Sequence, residues 1–198
     1  MDHRDHVALI RDGVAGAGPR WLELGAGDGA FTLALADLLG APADILAVDQ
    51  DRTALLRLDV SLRARFPGAI LHTRVLDFTQ AMPDGPFDGV LAANSLHFVR
   101  EGATGRGSVL ASIRERLAPG GRLLVVEYDA DRGNPWVPYP FSATRWARAA
   151  AEAGFVDTRV VGRVPSRFLG AIYGAVSRRP GDAAAGDDAL SPDGVASR

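Results

Sequence analysis

The stretch from Trp21 to Phe31, WLELGAGDGAF, places three glycines between an apolar run and a segment with helical periodicity. Glycines in such a turn let the backbone approach a ligand closely and leave the N–H groups of the helix free to bind it. Two interpretations fit the spacing. The turn is either Gly25-x-Gly27-x-x-Ala30, typical of nicotinamide or flavin dinucleotides, or Gly25-x-Gly27-x-Gly29, a loop for another nucleotide-like cofactor.

Acidic residues near the turn bear on that choice. Glu23 and Asp28 would place carboxylates beside the phosphates of a dinucleotide in partly desolvated surroundings, which is unfavourable, whereas they suit a cationic ligand. Asp49 ends the next apolar run, 20 residues after Gly29. A carboxylate there can accept hydrogen bonds from both hydroxyls of a ribose. Either kind of cofactor carries a ribose, so Asp49 predicts a nucleotide without choosing between them.

A further acid, Asp77, ends a third apolar run in RVLDFT. Its carboxylate could accept a hydrogen bond from the exocyclic amine of an adenine, and Phe78 could pack on the ring. Asp77 could equally cap a helix or a turn. At this point both interpretations remain open.

Of the four histidines, His97 in NSLHFV is the one expected to face a crevice at the strand ends. It could act there as a general base. The alternative is a ring that packs at the start of the next helix, with backbone groups as its partners. His3 and His6 lie in a charged terminal segment and His72 lies within a strand, so we predict no metal site from them.

The segment 127–141, EYDADRGNPWVPYPF, combines three stiffening prolines with aromatic side chains. It could form the wall of a substrate pocket, or its aromatics could simply cover the sheet edge. With His97, the candidate pocket residues are Tyr128, Asn134, Trp136 and Tyr139. Three acids in this segment could orient a polar acceptor or bind a divalent ion, but we interpret them as solvated loop carboxylates: Glu127, Asp129 and Asp131.

Composition excludes several function classes. The 198 residues include no cysteine, and all 22 basic residues are arginine. Disulfides, cysteine-ligated zinc, a Schiff-base lysine and a phosphate-loop lysine are therefore absent. The formal net charge of -2 does not favour nucleic acid as a partner. Without a signal-like or membrane-spanning apolar run, a cytoplasmic protein with no membrane association is the expectation.

Apolar runs of strand length alternate with segments of helical periodicity, which predicts an α/β protein with a parallel sheet. The continuous apolar character of the runs favours strands covered on both faces. Predicted strands are 20–24, 44–49, 69–77, 87–94 and 122–128. Predicted helices are a short N-terminal one within 1–18, then 31–40, 52–66, 107–117 and 142–153. The sequence APGG, 118–121, is expected to end the helix before it.

The C-terminal part follows a different pattern. The runs 156–164 and 166–179 are separated only by a turn around Pro165, too short for a parallel crossover, so they predict an antiparallel hairpin. Residues 1–179 are expected to form a single domain. The remaining 180–198 have hardly any large apolar side chains and are predicted to be a disordered tail.

Taken in order, these motifs resemble the class I S-adenosylmethionine-dependent methyltransferases. The resemblance spans about 20–179 and rests on the glycine turn with Glu23, Asp49, LDF at 76–78, FDGVLAANSLHFV at 87–99, LAPGGRLLVVEYD at 117–129 and the hairpin. It implies a Rossmann-like, doubly wound, seven-stranded sheet with helices on both faces. The sheet would be mostly parallel, with an antiparallel C-terminal hairpin.

The resemblance also implies roles for residues at matching positions. The glycine turn, formed by Gly25, Gly27 and Gly29, and Glu23 would lie near the methionyl end of S-adenosylmethionine. Asp49 would bind the ribose, and Gln50 would border the adenine pocket formed with Asp77 and Phe78. Asn94 and Ser95, at the end of the fourth strand, would pass the methionyl moiety and the transferable methyl group.

The expected function is methyl transfer from S-adenosylmethionine to an oxygen, nitrogen or carbon atom of a small molecule, in a monomer or homodimer. Three alternatives remain. The fold could use bound S-adenosylmethionine for other chemistry, such as cyclisation. It could be a non-catalytic binding module, or it could be a nicotinamide oxidoreductase.

Overall fold

A seven-stranded sheet organises the chain in the computed structural model, which describes residues 1–166 and 168–181. Its strands are β1 Arg20–Leu24, β2 Asp44–Asp49, β3 Ile70–Val75, β4 Phe87–Ala93, β5 Leu117–Tyr128, β6 Val156–Pro165 and β7 Ala171–Arg178. Its helices are α1 His3–Val14, α2 Ala30–Leu39, α3 Arg52–Arg65, α4 Arg106–Arg116 and α5 Ala143–Glu152, and a 3₁₀ turn covers Leu96–Phe98.

The strands lie in the order β3-β2-β1-β4-β5-β7-β6. The first five are parallel to their neighbours, whereas β7 is antiparallel to both β5 and β6. This confirms the predicted mostly parallel sheet with an antiparallel C-terminal hairpin. The strand order reverses at β1, because the chain adds β2 and β3 on one side of β1 and then places β4 on its other side. The carboxyl ends of these strands open a crevice at that point.

Helices cover both faces of the sheet, as predicted. Alternation along β1 directs Trp21 to a core shared with α1, α2 and α3. Leu22 and Leu24 enter a second core with α4 and α5. Within the described part of the chain, no helix is long and apolar enough to cross a membrane.

The prediction that every strand is covered on both faces is wrong for β3. Most of its residues are exposed, including Ile70 and Val75, because β3 forms one edge of the sheet. Between β3 and β4 the chain continues without a helix. The last strand in the sheet, β6, is exposed along much of its length for the same reason.

Two strand boundaries also differ from expectation. The APGG sequence lies inside β5, not in a stop after α4. Leu117 already pairs with Phe87, at the start of β4. The register between β4 and β5 then shifts, so that Arg122 pairs with Gly89. Gly120, with φ of 73°, lies in the resulting bulge.

At the hairpin, β7 begins at Ala171, five residues later than predicted, because the connection from Pro165 occupies those positions. The predicted disordered tail from 182 onward lies outside the described residues.

Candidate functional site

The glycine turn joins β1 to α2 and requires glycine at its predicted positions. Gly25, Gly27 and Gly29 have φ of 73°, 52° and 85°, which side-chain-bearing residues rarely adopt. A Cβ on Gly25 would lie 2.6 Å from Cβ of Ser95, and one on Gly29 would lie 2.2 Å from Leu58. The turn therefore brings backbone close to the end of β4, and α2 begins directly after Gly29 without a side-chain cap.

Asp49, at the end of β2, is held in one orientation by backbone donors. The N–H of Gly27 donates to Oδ2 and the N–H of Asp51 donates to Oδ1, each at 2.8 Å. Each carboxylate oxygen can accept a further hydrogen bond. The glycine turn and the carboxylate predicted to bind ribose thus form one connected unit.

A cavity of about 420 Å³ lies beside this unit, at the carboxyl ends of the central strands. Many of the predicted cofactor residues line it: Gly25, Asp49, Gln50, Asp77, Phe78, Asn94 and Ser95. Leu76, Thr79, Phe98 and Val99 complete the wall. Glu23, Gly27 and Gly29 belong to the same turn or the strand beneath it but are not part of the lining. Residues distant in sequence are thus collected at the reversal point of the sheet.

A slightly larger cavity, of about 480 Å³, lies between α4 and α5. Its wall consists of residues of α4 and α5 and of the loop before α4; several are Gly or Ala, and the charged ones are Glu101, Arg106, Arg114 and Glu152. It lies away from the strand ends and contains none of the glycine-turn residues. We therefore place the candidate functional site in the cavity beside Asp49.

The two readings of Asp77 are compatible. One oxygen, Oδ1, accepts from the backbone N–H of Thr79 at 2.9 Å and from its hydroxyl at 2.6 Å, so Asp77 does stabilise a turn. The residue nevertheless lines the cavity, with Phe78 beside it. The other oxygen, Oδ2, makes no hydrogen bond within the described residues.

Three buried polar atoms around the turn lack partners among the described residues: Glu23 Oε2, Asn94 Oδ1 and Ser95 Oγ. A buried polar group without a hydrogen bond is costly. Asn94 also has a φ of 52°, a conformation that is uncommon for a residue with a side chain. Unpaired polar atoms and an unusual backbone at one place indicate a site that a polar ligand completes.

Glu23 is 2% exposed, and burial raises its pKa to about 8, with the negative charge of Asp49 adding to the shift. A nearby cation would favour its ionised form. Asp28, the acidic residue within the glycine turn, has a different environment. It is exposed and its Oδ1 lies 2.6 Å from a guanidinium nitrogen of Arg57. The electrostatic preference for a cationic ligand therefore rests on Glu23.

His97 lies in the 3₁₀ turn after β4, well before α4 begins. It is 3% exposed, and its Nδ1 is 2.8 Å from Oε2 of Glu127. Its backbone N–H donates to Oε1 of the same carboxylate at 3.1 Å. The ring does not line the cavity, but it packs against Phe98, which does, with 4.3 Å between ring centroids.

Glu127 is the residue that the sequence argument missed. The interpretation of Glu127 as a solvated loop carboxylate is wrong, since it belongs to β5 and is completely buried. A signal was present in RLLVVEY: strand alternation places Glu127 on the same face as Leu123 and Val125, which are fully buried. A charged residue on such a face requires a partner, and His97 is that partner.

The segment after β5 lies next to His97 but contributes no residue to the lining of the cavity beside Asp49. The N–H of Tyr139 donates to the carbonyl of His97 at 3.0 Å. Asn134 uses Oδ1 to accept from the N–H groups of Trp136 and Val137, each at 2.9 Å, so this oxygen stabilises its own turn. Trp136 is exposed, and Tyr128 is partly buried beside the His97 ring.

Asp129 and Asp131, the other acids in this segment, pair with arginines. Asp129 contacts Arg163 and accepts from the N–H of Ala143 at 2.9 Å. Asp131 accepts from the N–H of Ser142, the N-cap residue of α5, at 3.2 Å. Among the described residues, no group of three or more histidine and carboxylate side chains is placed to hold a metal ion.

A family model described as a methyltransferase domain matches residues 22–123, half of the chain. This region contains the glycine turn, Asp49, Asp77 and the 3₁₀ turn that carries His97. The chain belongs to this family. The seven-stranded sheet described above is the class I form of the methyltransferase fold.

The chain is 32% identical over 118 residues to a reducing polyketide synthase from a Penicillium species. That alignment covers 57% of the chain and only 4% of the synthase. The likeness is therefore to a small part of a much longer protein.

Two solved structures illustrate the fold. A Burkholderia thailandensis 1,6-didemethyltoxoflavin N1-methyltransferase, with its substrate and S-adenosylhomocysteine bound, has a TM-score of 0.68 and 23% identity, over 90% of this chain and 78% of the other. A Synechocystis PCC 6803 magnesium protoporphyrin IX methyltransferase with bound S-adenosylmethionine has a TM-score of 0.67 and 17% identity, over 89% and 77%. At these identities the comparison establishes the fold.

Proposed function

We propose that the methyltransferase binds S-adenosylmethionine in the cavity beside Asp49 and transfers its methyl group to a small molecule. The observation that carries the proposal is a pair of unpaired buried polar atoms in the cavity lining, Asn94 Oδ1 and Ser95 Oγ, with Glu23 Oε2 also unpaired in the strand beneath the glycine turn. A ligand with a cationic, donor-rich end would pair them. The methionyl end of S-adenosylmethionine has this chemistry.

The remaining cavity residues suit the rest of the cofactor. Asp49, held by two backbone N–H groups, would accept hydrogen bonds from the ribose hydroxyls. Asp77 would accept from the adenine amine with its free oxygen, while Phe78 packs on the ring and Gln50 borders it. The crystal complexes of the two structural neighbours, with S-adenosylmethionine or S-adenosylhomocysteine, support this choice of cofactor.

When bound, S-adenosylmethionine supplies a methyl group on a positively charged sulfur. The chain itself would contribute mainly positioning, because aligning two reactants in one site removes much of the barrier. The His97 ring packs against Phe98 of the cavity wall, so an acceptor would approach beside these two residues. His97 would then be placed to accept its proton.

The acceptor is proposed to be a small molecule with a reactive oxygen, nitrogen or carbon atom. The formal net charge of -2 gives no general attraction to nucleic acid. The substrates named for the two neighbours, 1,6-didemethyltoxoflavin and magnesium protoporphyrin IX, are also small molecules.

A product screen tests methyl transfer directly. The protein is incubated with methyl-labelled S-adenosylmethionine and a panel of phenols, amines and carbon acids, and S-adenosylhomocysteine and labelled products are quantified by mass spectrometry. We expect equal amounts of S-adenosylhomocysteine and one methylated product, and much less of both with Asp49→Asn at a cofactor concentration near the wild-type Kd. Conversion of an acceptor without S-adenosylhomocysteine formation would instead establish the cyclase-like alternative.

A further inference from the structure

Three arginines on neighbouring strands lie together beside the C-terminal end of α1. Arg122 in β5 pairs directly with Arg178 in β7. Arg159 in β6 pairs with Val176, two residues before Arg178, so strand alternation directs all three arginine side chains to one face of the sheet. That face is the one under α1, because Val176 belongs to the core that α1 covers. We call Arg122, Arg159 and Arg178 the arginine cluster.

The positive charge of the arginine cluster is not offset by contact with a carboxylate. Within the described residues, none of its three guanidinium groups forms an ion pair. The pKa of Arg122 is lowered, first by burial and then by the positive charges of Arg178 and Arg159. Nη1 of Arg122 donates to the carbonyls of Gly13 at 2.8 Å and Ala15 at 2.7 Å, and so holds the end of α1. The like charges repel one another, and an anion between them would remove that repulsion.

A small cavity lies against two members of the arginine cluster. Its volume is about 170 Å³, and Arg122 and Arg178 form its basic wall. Most of the remaining lining comes from two glycine-containing turns, 16–18 after α1 and 118–121 in the bulge of β5. The cavity lies where the chain enters β1, β4 and β5, at the opposite end of these strands from the cofactor cavity. It has less than half the volume of the cofactor cavity, so it suits one small ionic group and not a whole nucleotide.

The first of these turns adds hydrogen-bond donors to the cavity. The backbone N–H groups of Gly16 and Gly18 make no hydrogen bond within the described residues. Asp88 supplies the one carboxylate of the described lining, and its Oδ2 accepts from the N–H of Arg20 at 2.9 Å. This carboxylate packs against Gly18, where a Cβ would lie 2.3 Å from it. Two guanidinium groups and two N–H groups against one carboxylate leave the cavity with an excess of positive charge and of donors.

We propose that this cavity binds a phosphate group between Arg122 and Arg178. A phosphate group has the charge to neutralise both guanidinium groups, and its oxygens can accept from them and from the N–H groups of the 16–18 turn. By joining that turn to β5 and β7, the bound group holds the C-terminal end of α1 on the sheet. Its source is inorganic phosphate or a phosphate monoester of a small molecule. The site is separate from the cofactor cavity and does not depend on the proposed function.

Calorimetric titration of the full chain with inorganic phosphate is the first test. It is carried out at pH 8, where phosphate is mostly a dianion, and at an ionic strength kept constant with sodium chloride. We expect wild type to bind one phosphate per chain. Arg178→Gln should weaken binding about 10- to 100-fold, as for loss of hydrogen bonds between charged groups. Absence of saturable binding by wild type at millimolar phosphate would overturn the proposal.

Asp88→Asn should have the opposite effect. Its Oδ1 can still accept from the N–H of Arg20, but the negative charge in the lining is lost. Phosphate should therefore bind Asp88→Asn more tightly than wild type, by about fivefold or more, the scale of one charge pair in water. Unchanged or weaker binding by Asp88→Asn would mean that phosphate binds elsewhere.

Arg148→Gln is the matched control, because Arg148 is an exposed arginine of α5 that forms no ion pair within the described part of the chain. It should bind phosphate as wild type does. Equal weakening in Arg148→Gln and Arg178→Gln would indicate general attraction to a basic surface and overturn the proposed site.

Amide hydrogen exchange measures the effect on α1. Phosphate should slow exchange in 13–18 of wild type, because a turn that is held on the sheet opens less often. The same addition should leave these amides unchanged in Arg178→Gln. Phosphate binding without slower exchange in 13–18 would overturn the role in holding α1.

A titration with glycerol 3-phosphate distinguishes the two sources. Binding that weakens in Arg178→Gln supports a phosphate monoester as the ligand, whereas binding of inorganic phosphate alone supports the free ion. If neither binds, the proposed phosphate site is wrong and the cofactor assignment stands. Failure of S-adenosylhomocysteine to bind would overturn the proposed function and leave the phosphate site in place.

Discussion

At the residue scale, Glu23 is the side chain whose environment most requires a ligand. Its carboxyl lies in β1 beneath the glycine turn, has one unpaired oxygen and has a pKa raised to about 8 by burial. Near neutral pH the free protein therefore holds it largely protonated. A cation bound nearby would stabilise the ionised form and lower that pKa.

Proton release on cofactor binding follows from this. Below pH 8, S-adenosylmethionine binding should displace the Glu23 proton. The affinity for S-adenosylmethionine should therefore rise by up to about tenfold per pH unit below pH 8 and stay constant above it. Calorimetric titrations between pH 6 and 9, in two buffers of different ionisation enthalpy, count the released protons. Glu23→Gln should abolish the dependence. An equally steep pH dependence in Glu23→Gln would show that another group is responsible.

At the element scale, Arg106 connects three segments around the proposed acceptor side. From the start of α4, its guanidinium donates to the carbonyls of Val99 at 3.1 Å and Tyr139 at 2.7 Å. It also lies 4.0 Å from the ring centroid of Phe141. Arg106 is 4% exposed, and burial lowers its pKa from the usual arginine value. It therefore joins the 3₁₀ turn that carries His97 to the segment after β5.

Arg106→Lys tests this connection while it keeps the charge. The guanidinium donates to both carbonyls through Nη2 while its plane lies on the Phe141 ring, and the shorter, non-planar ammonium group of lysine cannot keep all of these contacts. We expect a loss of about 2 kcal/mol or more in the free energy of unfolding, measured by urea denaturation. Arg63→Lys, at an exposed ion pair with Asp59, is the control and should change it by less than about 0.5 kcal/mol. Equal effects would refute a connecting role for Arg106.

The sequence predicted those features that depend on local patterns. Apolar runs identified the strands, and the acids that end them identified the cavity, because parallel strands bring their carboxyl ends together. The bulged start of β5 depends on pairing with β4, and the exposure of β3 depends on its place at the edge. The contacts of Glu127 with His97 and of Arg106 with Tyr139 join residues about 30 apart, and no local pattern specifies them.

At the scale of the whole molecule, α1 is seated directly on the antiparallel end of the sheet. Gly162 in β6 and Gly174 in β7 lie against the backbone of Leu9. A Cβ on Gly174 would be 1.9 Å from the carbonyl oxygen of Leu9. The absence of side chains at these two positions is what lets the helix approach the hairpin, so the N-terminal segment closes the core over β5, β6 and β7.

Gly174→Ala should therefore force α1 away from the sheet. We expect a loss of about 1–3 kcal/mol in the free energy of unfolding, the usual cost of overpacking, measured by thermal or urea denaturation. Gly181→Ala is the control, because no atom of the described residues lies within 4 Å of its Cβ position. Unchanged stability in Gly174→Ala would mean that α1 is not packed as closely as described.

The account as a whole depends on S-adenosylmethionine occupying the cavity where the strand order reverses. Calorimetric titration with S-adenosylhomocysteine tests this most directly, in wild type, Asp49→Asn and the control Asp59→Asn on the outside of α3. We expect wild type and the control to bind alike at sub-millimolar concentration, and Asp49→Asn to bind about 10- to 100-fold more weakly, as for loss of hydrogen bonds to a charged acceptor. Absence of binding to wild type in that range, or preferential binding of NADH, would contradict the account.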